Sequence, residues 1–254
     1  MSHKLLSLLP YWVGILILVS FFYRKQKILA REILWASFRT TIQLIFLAFA
    51  LEVIFKSHLM IVSLLVTLVM TVNSSTQIVF RSKAKTIRLF WISFVANAVS
   101  IWPIAFLFSI DESGLKWSEP RMLLPLMGML LGNTLSGVSI GLESFLQTFR
   151  DKKTEILTRM SLGATIEEAT HQVFFRAVKA GISPQINSMI SMGIVSIPGM
   201  MAGQLIAKAD AFDASMVQIK MMLSICAGTL ISVYIALKFV RSKMFLPTGE
   251  LCLE

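Results

Sequence analysis

Apolar residues gather into seven runs along this chain, at 5–22, 33–55, 59–80, 89–110, 122–142, 182–207 and 216–240. Each run is near the 17–25 residues or so that a helix needs to cross a bilayer. The pattern predicts an all-α, polytopic membrane protein with about seven transmembrane helices, forming one membrane domain over residues 1–254. The first run has basic residues after it and no small-residue cleavage site, so it reads as a retained anchor helix.

The polar segments are unequal. FKSH, IDESGLKWSEPR and KADAFD are short connections on one side, and the one long connection, residues 150–181, lies on the other. It carries its own apolar periodicity. Ile156, Leu157 and Met160 make one stripe, and Ile166, Ala169, Val173, Phe174, Ala177 and Val178 make a second at helical spacing. Between them Gly163 suits the left-handed residue that ends a helix. Thr165 and Glu168 have the spacing of a capping box that starts the next one. The segment therefore predicts helix, tight turn, helix. A hairpin lying on lipid headgroups satisfies the same periodicity, but it does not explain a small apolar turn, Leu162-Gly163-Ala164.

Composition agrees with a lipid solvent. The chain is 56% hydrophobic with a mean hydropathy of +0.74, and its 15% charged residues fall well below the roughly 25% of soluble domains. Its net charge of +10 does not point to nucleic acid, because the excess sits in short loops between spans, where anionic lipid accounts for it. Seventeen of the 24 Lys and Arg lie on the side of the long connection. The positive-inside rule makes that side cytoplasmic, with the N-terminus outside and the C-terminus inside a cytoplasmic membrane. Cys226 and Cys252 form no disulfide or metal pattern.

Polar side chains inside the runs are the candidates for a transport pathway, since each is costly in hydrocarbon unless paired or wetted. Arg39 and Gln43 stand four apart in the second run, and Asn73 and Gln77 four apart in the third. Interhelical hydrogen bonding is the plainer role for the second pair. The fifth run carries Gly128, Gly132, Gly137 and Gly141, two GxxxG spacings that bring helices close, with Asn133 beside them. In the sixth, Pro198 and Gly199 predict a kink or break, a recurring place to bind or gate substrate. Met200, Met201 and Gln204 follow directly. Methionine also fills gaps between helices, and His3, His58 and His171 are not clustered, so no metal ligand set emerges.

Two other classes fit less well. An intramembrane protease needs paired aspartates within spans, whereas Asp111, Asp151, Asp210 and Asp213 lie in the connections. An ion-coupled secondary transporter needs midplane carboxylates, and Glu52 and Glu143 sit near span ends.

Four segments taken in order, ILWASFRTTIQLIFLAFALEVIF, LPLMGMLLGNTLSG, TRMSLGATIEEA and GIVSIPGMMAG, resemble the FetB-type ABC-transporter permease family, which includes bacterial iron exporters and plant aluminium-tolerance permease subunits. The resemblance covers residues 33 to about 240. It implies a permease subunit without a motor, two copies working with two separate ATPase subunits that bind ATP and magnesium, and no cofactor on this chain. It implies export of a metal ion such as iron, or of a metal complex; a non-metal solute such as a sugar nucleotide is the alternative. It also implies that the hairpin is the coupling element, through Ser161, Leu162, Gly163, Ala164, Thr165 and Glu168. The sequence is consistent with this, having no GxxxxGK[ST] phosphate loop.

Overall fold

The computed structural model describes residues 8–23, 25–57, 60–82, 87–111 and 120–244. Among them the chain is all-α. The helices are α1 (Leu9–Tyr23), α2 (Lys27–Ser57), α3 (Met60–Arg81), α4 (Ile87–Asp111), α5 (Pro120–Asp151), α6 (Lys153–Ser161), α7 (Ile166–Ser191), α8 (Gly199–Ile206) and α9 (Ala211–Met244). Five of the described helices, α2, α3, α4, α5 and α9, are long and apolar enough to cross a membrane.

The other two expected spans differ. The first is represented by α1, only 15 residues long, or about 22 Å at 1.5 Å per residue. The run at 182–207 is not one helix. It contains the end of α7, a tight loop and the short α8. The loop forms because Gly193 adopts a positive φ of 82° and donates its N–H to the Ser196 carbonyl at 2.9 Å. Pro198, with no N–H to give, then serves as the N-cap of α8. In the other direction α7 runs without interruption from the loop segment into the expected sixth span, so the amphipathic stripe and the start of that span belong to one 26-residue helix.

The chain divides into two compact units, Met1–His58 and Leu59–Glu254. In the first, α1 packs on α2, and of the described residues only Val19 and Ala30 are buried. Its exposed leucines, isoleucines and phenylalanines suit a lipid solvent. In the second, α5 packs against α3, α4, α7 and α9, and α9 also packs against α4, α7 and α8.

Two apolar clusters fill the second unit. One gathers Phe145 and Phe149 of α5, Ile156 of α6, Val173, Phe174 and Ala177 of α7, and Val233 and Leu237 of α9. The second stripe and Ile156 and Met160 of the first thus pack against protein, while Leu157 stays exposed. The other cluster joins α4, α5 and α9 and is rich in methionine: Met127, Met221 and Met222 are buried in it, and Met70, Met129, Met189, Met192 and Met200 line its edge. Unbranched thioethers suit the irregular space beside a broken helix.

Glycine sets the spacing between α5 and α7. A Cβ placed at Gly181 would lie 2.7 Å from the Gly137 carbonyl oxygen, and one at Gly137 would lie 2.5 Å from the Thr229 methyl. Gly141 faces Val233 and the Ala177 carbonyl. The 137–141 pair therefore packs helices as its spacing predicts. Gly132 of the other pair has nothing within 4 Å.

Candidate functional site

The hairpin is built by local chemistry at both ends of its turn. α6 stops at Ser161, whose hydroxyl donates back to the Leu157 carbonyl at 2.9 Å. Gly163 takes a φ of 94°, a conformation easy only for glycine, and its N–H reaches the Met160 carbonyl at 3.0 Å. The Ala164 N–H reaches Arg159 O at 3.1 Å. Thr165 then caps α7. Its Oγ1 accepts from the Glu168 N–H at 3.3 Å, and Glu168 Oε2 accepts from the Thr165 N–H at 2.8 Å, a complete capping box.

These bonds also set the charge state of the turn. The Thr165 N–H, and after it the Thr165 hydroxyl, hold the Glu168 carboxyl below the usual carboxylate range. A carboxylate with a depressed folded pKa stabilises the fold above its ordinary pKa, and that contribution is lost as pH falls through the lower folded value. The turn is therefore fully capped at neutral pH. At its apex Leu162 is 84% exposed, and Gly163 has no atom within 4 Å of where a Cβ would stand.

Behind the turn α7 is fastened to α9. Arg241 forms an ion pair with Glu167 and lays its guanidinium over the Phe174 ring, 4.7 Å from the centroid. Phe174 meets Tyr234 edge-on at 5.4 Å. An open cleft of about 600 Å³ beside this cluster is lined by groups including Arg159, Glu168, His171 and Lys238. Arg241→Ala should lower the unfolding stability of the purified chain by ~1–2 kcal/mol through lost packing and cation–π contact. Glu167→Gln should cost less, because that side chain is 72% exposed and its pairing is screened. Thermal unfolding of the two variants checks the order.

The pathway candidates fall in both units. Arg39 and Gln43 lie exposed on α2 in the first unit. Asn73 is exposed on α3 and Gln77 half-buried, and Asn133 is exposed with its amide donating to the Met129 carbonyl at 2.8 Å. Within the second unit no hydrogen bond joins Asn73, Gln77 and Asn133 among the described residues. Pro198 and Gly199 do stand at the broken helix, with Met200 reaching the methionine-rich cluster. Ser215 of α9 donates to Met201 Sδ at 4.0 Å. The Gln204 Oε1 is buried without a hydrogen-bond partner among the described residues. Gln218 of α9 donates to Met192 Sδ at 3.8 Å and leaves its own Oε1 buried and unpaired. No group of three His, Cys, Asp or Glu gathers among the described residues.

The buried polar interior lies elsewhere, in residues that sequence reasoning passed over. Asn97 of α4 donates to Ser74 and Ser75 of α3, both at 3.4 Å. Ser232 of α9 stands 2.5 Å from Ser100 Oγ and 3.3 Å from Asn97 Oδ1. Each is buried. A lone Asn with serines at helical spacing was the available signal, and its short polar side chains do not register against the hydropathy of the run.

Five lipid-length helices, a glycine-packed seam and a buried serine–asparagine network define a multi-pass helical membrane protein. The chain belongs to a family described as "Uncharacterised protein family (UPF0014)", whose model matches residues 6–245. A UPF0014 membrane protein of Synechocystis is 32% identical over 197 residues, which is 76% of this chain and 75% of that protein. The probable iron export permease protein FetB of Escherichia coli is 29% identical over 255 residues, 98% of this chain and 96% of FetB. The protein ALUMINUM SENSITIVE 3 of Arabidopsis thaliana is 31% identical over 103 residues, 41% of this chain and 38% of that one. No solved structure matches the chain.

Proposed function

We propose that this chain is the permease subunit of an ABC transporter, exporting a metal ion such as iron, or a metal complex, across the cytoplasmic membrane. A separate ATPase subunit supplies the energy, and two permease chains work with two ATPases. The observation that carries the reading is the hairpin apex. Leu162 is displayed on a turn held by a positive-φ glycine and a complete capping box, a rigid apolar projection of the kind that fits a groove in a partner. The name of the E. coli relative makes iron the first substrate to test.

The deciding experiment is purification of the tagged chain from its own membranes, with ATP hydrolysis by the purified material assayed in liposomes. An equimolar second chain carrying a GxxxxGK[ST] loop, with ATP-dependent iron movement, supports the reading. A chain that purifies alone and moves solute without ATP refutes it.

The orientation has its own test. Lys153 and Lys208 flank the α7, loop and α8 segment. Single cysteines placed at the two positions should label from opposite faces of the membrane, that at 153 from the cytoplasm and that at 208 from outside. Labelling of both from one face would mean that this segment enters and leaves on the same side.

A further inference from the structure

A groove of about 610 Å³ opens between α4 and α9 beside the first turn of α7. Its long wall is apolar, made by Val95 and Val99 of α4 and by Ile235 and Phe239 of α9. Val95, Val99 and Phe239 are all more than 40% exposed, so the wall is not covered by the chain's own packing. In a bilayer it faces hydrocarbon.

The other end of the groove is basic. Lys238 lines both this groove and the open cleft behind the hairpin. Arg241 is already committed to Glu167 and to the Phe174 ring, and Ser242 donates its hydroxyl to the Phe239 carbonyl at 2.9 Å. The Lys238 ammonium and the Tyr234 phenol have no hydrogen-bond or ion-pair partner among the described residues. They stand four apart on α9, on one face. With Glu167 neutralised by Arg241, the local balance is one uncompensated positive charge. Arg241 and Lys243 in the last turn of α9 place this end where a membrane helix meets water.

We propose that the groove is a binding site for one anionic phospholipid, its acyl chain along Val95, Val99, Ile235 and Phe239 and its phosphate between the Lys238 ammonium and the Tyr234 hydroxyl. The bound lipid also touches Ile166 and Glu167, so it braces the start of the helix that leaves the hairpin. Binding itself does not depend on the transport reading.

The test is native mass spectrometry of the purified full chain from micelles doped with equal amounts of phosphatidylglycerol and phosphatidylcholine. The wild-type chain should retain phosphatidylglycerol about fivefold over phosphatidylcholine, the factor one basic residue supplies near an anionic headgroup. Lys238→Glu should bring the two to parity, and Val99→Trp, which fills the wall, should reduce retention of both. Arg88→Glu, an exposed change on α4 outside the groove, should leave the preference intact. Thermal unfolding of each variant confirms that it is folded. Equal retention by the wild type, or an unchanged preference in Lys238→Glu, overturns the proposal. Displacement by excess inorganic phosphate also overturns it, since that outcome marks a free-phosphate site and not a lipid one.

Discussion

Gly163→Glu should lower recovery of the partner ATPase by about ten- to a hundredfold at equal membrane levels of the permease. The residue stands in the left-handed region, φ 94°, where any L side chain is strained by roughly 1–2 kcal/mol. Apart from its chain neighbours, no atom lies within 4 Å of where the new Cβ would stand. The permease therefore has no internal clash to suffer and should assemble in the membrane. On the proposed docking, the loss falls on the contact between the turn and the ATPase. A carboxylate forced into a desolvated apolar contact adds a penalty of a few kcal/mol, and each 1.4 kcal/mol or so is a factor of ten. Affinity capture of the ATPase on wild-type and variant chains is the measurement, and undiminished recovery would contradict a docked turn. Leu162→Asp should act in the same direction without the backbone strain.

Gly181→Val should destabilise the second unit by about 3 kcal/mol, with a clearly lower yield of monodisperse protein after extraction. Its Cβ would lie 2.7 Å from a backbone oxygen, that of Gly137, and 3.0 Å from a Val233 methyl. Backbone cannot rotate aside as a side chain does, so α5 and α7 must part. Overpacking usually costs about 1–3 kcal/mol, and this site belongs at the upper end because both helices are buried there. Gly199→Leu is the contrast. Its Cβ would meet nothing within 4 Å, so the yield should stay normal, while solute flux falls if the broken helix gates the pathway. Size-exclusion profiles, thermal unfolding and flux on the two variants separate packing from gating. A normal yield for Gly181→Val would remove the seam from the account of the fold.

The legible parts of the fold were those written in short-range pattern. Five helix-length apolar runs, the 137–141 glycine spacing and the Thr165–Glu168 capping box needed only local geometry to be read from the sequence. The turn at Gly163 was equally plain. The form of the sixth run is less plain, because hydropathy does not distinguish Ile194 and Val195, the exposed tip of the loop set by Gly193, from helical residues. Pro198 drew attention to the break but marks only its far end. The candidate pathway was less legible. Arg39 and Asn73 stand out by their polarity and prove to be exposed, whereas Asn97, Ser100 and Ser232 are hidden among apolar neighbours and meet only when three helices are assembled. Interhelical partnership is not a property of any one stretch.

The position of Gly181 along α7 has a mechanical consequence. It is fifteen residues from Ile166 and ten from Ser191, so the helix has arms of about 22 and 15 Å on either side of its tightest contact. A helix pinned there behaves as a lever with an off-centre fulcrum. A sideways push at the hairpin end is returned at the broken end with opposite sign and at about two thirds of its size. Pro184, three residues past the pivot, is where the shorter arm can flex. A displacement of the hairpin end would thus reach the methionine-lined break with its direction reversed.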